Sequence, residues 1–264
     1  MKLIIEHTTA WHYDHPVLTS TQYLRLTPRS NTRQQVLNWQ VDMPGRATHG
    51  TDPYGNMQHV LTLDSPGATI HVTARGSVEL HPDVIEENDG INPLVFLRTT
   101  PLTRADGPLL DFADAFRSER PTREALRALM LAIEGHVAYT QGTTDAATTA
   151  AEAFTRRSGV CQDHTHIFLA CARAIGVPAR YVSGYVHVEG RSHIASHAWA
   201  EAWLGEHWLT FDISNKLDHP TTHLKLAIGM DYLDACPVRG IRYGGGIERM
   251  SAQALVDLAQ QGGQ

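Results

Sequence analysis

The sequence predicts an α+β protein in two parts. An antiparallel β-sandwich is expected over residues 1–85, and a core of helices followed by an antiparallel sheet over residues 109–264, with a linker at 86–108. Three observations carry this prediction. Up to residue 85 the chain is a series of short runs rich in β-branched and aromatic residues, KLIIEHTTAWHY, TQYLRL, VLNWQVDM, MQHVLTL and ATIHVTA, divided by turn clusters, which is the pattern of an antiparallel β domain. Between 86 and 108 the periodicity fades while Asp, Gly and Pro accumulate, as in a connection. Beyond it helical patterns come first and strand patterns afterwards, the order of an α+β core.

Turn chemistry for the first part comes from Pro44-Gly45, Asp52-Pro53-Tyr54-Gly55-Asn56 and Pro66-Gly67. In the second part Arg-Pro-Thr precedes REALRALMLAIEGHV, where Leu126, Met130 and Ile133 follow helical spacing, and TDAATTAAEAFTRR reads as a second helix. A third helix follows Arg157-Ser158-Gly159-Val160. Its apolar or small residues Cys161, His164, Ile167, Phe168, Cys171, Ala174 and Ile175 share one face, and Gly176 and Pro178 stop it. Ser158 or Gly159 is expected to cap its start. Strands are expected at ARYVSGYVHV, HAWAEAWL, HWLTFDI and HLKLAI, while the closing GGGIERMSAQALVDLAQQGG fits a strand or a helix equally.

Composition narrows the function classes. With 264 residues, 42% of them apolar, the chain can bury a sizeable core without staples. The net charge of −6 is spread along the chain with no basic stripe, so a nucleic-acid partner is not expected. The opening MKLIIEHTTAWHYD turns polar at Glu6, too soon for a signal-peptide core. No later run approaches the roughly 18 apolar residues of a membrane span. Cys161, Cys171 and Cys236 are too few and too unevenly spaced for a disulfide framework, which favours a reducing, cytoplasmic setting. No cofactor is expected.

The chemistry concentrates on three residues. Cys161 falls in the first turn of its helix, where unpaired N–H groups and the positive end of the dipole favour a thiolate. Cys171, in the body of the same helix, and Cys236, beside Pro237, read as buried small hydrophobes. In Ser196-His197-Ala198-Trp199-Ala200-Glu201-Ala202-Trp203-Leu204 large and small residues alternate with the period of a strand, so His197 shares a face with Trp199, Glu201 and Trp203. If Gly205-Glu206 is a two-residue hairpin turn, Leu204 pairs with His207, Trp199 stands opposite Asp212, and Asp212 lies diagonal to His197 on one face. The expected chemistry is then a Cys161 nucleophile, a His197 base and an Asp212 orienter. The Cys161 backbone N–H is one oxyanion donor. Gln162, the Trp199 indole and another backbone N–H remain open as the second. The short spacings of Cys161, His164, His166, His193 and His197 also admit a zinc site, although consecutive helix positions set His164 and His166 on different sides. No metal is expected.

These residues carry a family resemblance. GVCQD at 159–163, GVPARYVSGY at 176–185, SHAW at 196–199 and FDISN at 211–215 resemble the ordered blocks of the bacterial transglutaminase-like family, often described as cysteine proteases. GMDY at 229–232, PVRG at 237–240 and the Asp52–Asn56 turn extend the likeness over nearly the whole chain. The resemblance implies a papain-like, transglutaminase-like core behind an N-terminal β domain, with the nucleophile, base and acid on Cys161, His197 and Asp212. The sequence departs from the family pattern at His164, where an aromatic residue is common, at Ile194, and at Ile213-Ser214. One expectation is that His164 contacts substrate; the other is a solvent-facing helix residue.

The resemblance implies thioester formation from a peptide or protein amide and leaves the acceptor open. Water makes a peptidase or amidohydrolase, the reading favoured here, and an amine makes a protein-glutamine transamidase. A zinc-dependent hydrolase and a non-catalytic scaffold on the same fold are the readings from other classes.

Overall fold

The computed structural model describes residues 1–84, 89–189, 193–194 and 196–259. The chain opens with four strands, β1 (Lys2–Thr27), β2 (Gln34–Asp42), β3 (Ala47–Thr51) and β4 (Met57–Leu80). Segments expected as separate strands run together: KLIIEHTTAWHY and TQYLRL are both β1, and MQHVLTL and ATIHVTA are both β4. The two pair antiparallel along nearly their whole length, with a register shift between His12 and Val17. Pro16 and the facing Pro66-Gly67 lie at this shift; proline has no N–H for the ladder, so the pairing breaks locally while both strands continue.

The stretch expected as a linker folds back on the core where it is described. Pro93–Leu97 and Pro101–Thr103 form 3-10 turns, and Phe96 is fully buried with its ring edge-on to Trp208 at 5.4 Å. There follow α1 (Gly107–Asp114), α2 (Arg123–His136), β5 (Ala138–Tyr139), α3 (Ala150–Arg156), β6 (Ser158–Gly159) and α4 (Cys161–Ala174). Thr122 caps α2 by accepting the Ala125 N–H, and Thr149 with Glu152 forms a capping box on α3. Then come β7 (Ala179–Val186), β8 (His193–Ile194), β9 (His197–Leu204), β10 (His207–Phe211), β11 (His223–Gly229), α5 (Tyr232–Ala235), β12 (Val238–Gly244) and β13 (Glu248–Leu258).

β10, β9, β7 and β11, in that order, make a four-stranded sheet with every neighbouring pair antiparallel. The alternating pattern of β9 turns Ala198, Ala200 and Ala202 into one core with α4 and the other helices, and their small side chains let the helix lie close to the sheet. Sequence periodicity predicts one buried face for α4, whereas every residue from Asp163 to Arg173 is buried, because the sheet covers one side and α1, α2 and α3 the other. Phe168 stacks on Phe211 with ring centroids 5.2 Å apart. Truncating such a residue typically costs about 3–5 kcal/mol.

The end of the chain resolves the open alternative as strand. It also returns to the beginning: β13 pairs with β1 from Leu3↔Leu258 to Tyr13↔Glu248, and β12 pairs with β1 from Val17 to Leu24. Thus residues 238–258, expected as a tail of the core, complete the N-terminal sheet. That sheet has seven strands and is continuous through β1 and β4, so the expected sandwich is built on one shared sheet. Its core takes in Tyr185, Leu224 and Leu226 from the four-stranded sheet, which locks the two sheets together. Among the described residues no helix is long and apolar enough to cross a membrane.

Candidate active site

Cys161 is the first residue of α4, behind Val160 at the N-cap. Neither Ser158 nor Gly159 caps this helix. Valine has no acceptor, and the cap is half of a reciprocal pair in which Val160 N–H donates to Asp163 Oδ2 at 2.7 Å, an oxygen that also accepts from Thr144 Oγ1 at 2.7 Å. A β-carbon on Gly159 would meet Asp163 Cβ at 2.6 Å, so the tight approach needs glycine. The Cys161 N–H, at the helix start, has no carbonyl four residues back to bond.

β9 and β10 join through Gly205-Glu206, with Gly205 at φ +64°, and pair from Leu204↔His207 to Ala200↔Phe211. This is the expected register. Asp212 then leaves the ladder for a turn of its own, closed by Asp212 N–H to Leu217 O and Leu217 N–H to Asp212 O. The turn holds the carboxylate against His197, whose Nε2 lies 2.8 Å from Asp212 Oδ2. Nε2 being engaged there, Nδ1 is the ring nitrogen left for Cys161, whose sulfur is near enough to help raise the His197 pKa. The structure therefore brings together Cys161, His197 and Asp212 from a helix start, a strand start and a hairpin exit.

Electrostatics favour charge separation here. Burial opposes a charge on His197, but the Asp212 hydrogen bond and then the Cys161 sulfur override it and lift its pKa from 6.5 to about 10. Burial likewise opposes ionisation of Asp212, which is fully buried, yet its two imidazole donors hold it well below the usual carboxylate range.

The second of those donors, His223 on β11, was not foreseen. Its Nε2 lies 2.7 Å from Asp212 Oδ2, and Asn215 adds an Nδ2 donor to the same oxygen at 2.7 Å and its backbone N–H to Oδ1 at 3.2 Å. A signal for His223 exists in the alternation of HLKLAI: His223 and Lys225 are polar between apolar Leu224 and Leu226, which marks a polar face. Tyr139 was missed as well. It is half-exposed and close enough to Cys161 that, after burial, the sulfur's charge is what raises its pKa.

The other sequence candidates have quieter places. His164 is buried, with Nε2 2.9 Å from Val137 O and Nδ1 3.0 Å from Ser214 Oγ. It neither faces solvent nor is free for substrate, and it joins two of the positions where the sequence departs from the family pattern. The Gln162 side chain reaches back to Asp145 O at 3.4 Å. Trp199 is buried with its ring 4.9 Å from that of His223 and 6.2 Å from that of His197, a wall behind both imidazoles. Cys171 and Cys236 are buried, and burial lifts their thiols to about 12 and about 11.

The zinc set suggested by spacing does not converge. His164 is held as above, His166 Nε2 accepts the Tyr232 N–H at 3.1 Å, and the His193 side chain lies outside the described residues. Among the described residues, His197, Asp212 and His223 are the one group of His, Cys, Asp and Glu donors close enough to share a metal ion. Both imidazoles instead meet a single carboxylate oxygen at hydrogen-bond distance.

A central helix on a four-stranded antiparallel sheet, with a thiol at the helix start and an imidazole and carboxylate at strand ends, is the layout of the papain-like class. Comparison with known proteins narrows it. Residues 111–213 match the transglutaminase-like superfamily and residues 3–79 the bacterial transglutaminase-like N-terminal region. The uncharacterized protein ML0607 of Mycobacterium leprae is 30% identical over 93% of this chain and 94% of its own length. The uncharacterized protein Rv2569c of Mycobacterium tuberculosis is 29% identical over 90% of this chain and 87% of its own. The fold is shared with a protein of Cytophaga hutchinsonii described as a candidate cysteine protease, at a TM-score of 0.81 and 20% identity, covering 97% of this chain and 90% of that one. The chain belongs to the transglutaminase-like superfamily, in the form that carries the bacterial N-terminal region.

Proposed function

We propose that this protein is a cysteine hydrolase that takes a peptide or side-chain amide through a thioester on Cys161. His197 accepts the thiol proton at Nδ1, and Asp212 holds the ring in that tautomer and stabilises the imidazolium. The thiolate adds to the amide carbonyl, His197 returns the proton to the leaving amine, and the acyl group remains on sulfur. The Cys161 N–H at the helix start donates to the oxyanion in this scheme. Water activated by His197 then releases the acid. The observation that carries this reading is the 2.8 Å bond of His197 Nε2 to Asp212, which leaves Nδ1 for the nearby Cys161, whose sulfur helps raise the pKa of the ring. The superfamily to which the chain belongs supports it.

The test is mass spectrometry of the protein incubated with a peptide library and a primary amine, alongside Cys161→Ala. New peptide termini and an acyl adduct on Cys161 are expected only with the wild type. Amine-linked products would replace hydrolysis by transamidation, and identical products from both proteins would end the catalytic reading.

A further inference from the structure

His223 raises a question the three-residue scheme leaves unanswered. An ionised carboxylate can only accept, so the 2.7 Å bond to Asp212 Oδ2 places a proton on His223 Nε2. In the neutral ring Nδ1 is then an acceptor, yet this buried atom has no protein partner. A second buried nitrogen without a partner, Nε of Arg33, belongs to the N-terminal region just before β2. The two side chains line one cavity of about 20 Å³, together with Thr210, Thr221, Glu201 and Lys225. A cavity above roughly 10–15 Å³ with polar walls accommodates one water. Arg33 itself is held in place, since its Nη2 donates to Pro82 O at 3.2 Å and to Pro220 O at 3.1 Å.

We propose that His223 is a positioning residue for Asp212 and that one water ties its Nδ1 to Nε of Arg33, so that the N-terminal region fixes the tautomer of the ring that holds the carboxylate. The polarity allows one arrangement. Arg33 Nε–H donates to the water, the water donates to Nδ1, and Nε2–H donates to Asp212. The charged and titratable groups around His223 agree with it: Asp212 and His197 on one side, Arg33, Glu201 and Lys225 across the cavity. Burial keeps the ring neutral, and the charge of Arg33 adds to that effect. The site thereby depends on a residue more than a hundred positions away in sequence. This gives the N-terminal region a part in the chemistry.

The inference rests on Cys161 and His197 working as proposed above, and its test needs no substrate. Nitrogen-15 NMR of the full-length protein labelled at histidine is expected to find His223 neutral, with the proton on Nε2. Arg33→Met removes a neighbouring positive charge and should let the ring take up a proton at higher pH than in the wild type. Alkylation of Cys161 by iodoacetamide, followed against pH, supplies the second readout. His223→Gln, whose amide can donate where Nε2 does, should keep the wild-type profile, whereas His223→Phe should move it by at least half a pH unit, about threefold in rate on its slope. A proton on Nδ1 in the wild type, or an unmoved profile in His223→Phe, would overturn the inference. Absence of amide turnover with the expected tautomer and profiles would instead remove the proposed function and leave this coupling standing.

Discussion

Two buried polar clusters lie on the same face of the four-stranded sheet and behave oppositely. In the first, Glu201 on β9 is bonded through Oε2 to Arg180 on the neighbouring β7 at 2.7 Å and through Oε1 to Lys225 on β11 at 2.5 Å. Arg180 also pairs with Asp89 and lies 4.0 Å from the centre of the Trp208 ring. In the second, a short distance along the same strands, Asp212 gathers His197, His223 and Asn215. The first cluster matches cation against carboxylate and turns its charges on one another. The second engages His197 through Nε2 and leaves its Nδ1 for the nearby Cys161. Equal burial therefore serves rigidity in one place and reactivity in the other, and the difference is a single ring nitrogen left outside the cluster.

That contrast can be broken from either side. The largest effect is expected from Cys161→Ala, which should lower amide turnover by about 10⁶-fold while leaving the denaturation midpoint near that of the wild type. Asp212→Asn should follow at about 10⁴-fold, because the amide can settle the wrong imidazole tautomer, and His197 should then titrate well below 10 by NMR. Glu201→Ala ought to leave turnover chemistry intact in the molecules that fold but cost about 3–5 kcal/mol in urea denaturation, since it removes the buried carboxylate that Arg180 and Lys225 share; an unchanged midpoint would show the first cluster to be solvent-relaxed.

Smaller effects sharpen the comparison. The folded protein keeps a proton on His197 up to about pH 10 that the unfolded chain gives up near 6.5. This contribution to stability is full below pH 6.5 and is lost as the pH rises through 10. Denaturant midpoints should therefore fall over that window more steeply in the wild type than in Asp212→Asn. His164→Phe, finally, should cost about 1–3 kcal/mol by stranding Val137 O and Ser214 Oγ, with turnover preserved across amide substrates.

The reactive cluster was more legible in the sequence than the closed one, for physical reasons. Cys161 announces itself by its place at a helix start, and the period of two through SHAWAEAWL and a two-residue turn place Asp212 near His197 by counting alone. Local rules suffice for a helix start and a hairpin. They do not reach β11, which is joined to β7 across more than thirty residues, so His223 and Lys225 stayed invisible as partners. Long-range pairing also explains the error over residues 238–258: nothing local distinguishes a strand that joins the nearer sheet from one that crosses to β1. His164 was misjudged because helical spacing predicts which residues share a face but not that helices and sheet would enclose α4 on every side.

The pairing of Leu3 with Leu258 sets a schedule for synthesis. β1 can meet β4 as soon as β4 has left the ribosome, but β12 and β13, which cover its other edge, are made more than 150 residues later. Until then that edge presents unpaired N–H and C=O groups, which invite pairing with other chains. Closing it requires bringing together segments more than 200 residues apart in sequence, a slow step by its topology. Premature termination between β11 and β12 thus yields a protein with Cys161, His197, Asp212 and His223 present and an open sheet edge. The hazard of such a fragment is association rather than loss of chemistry.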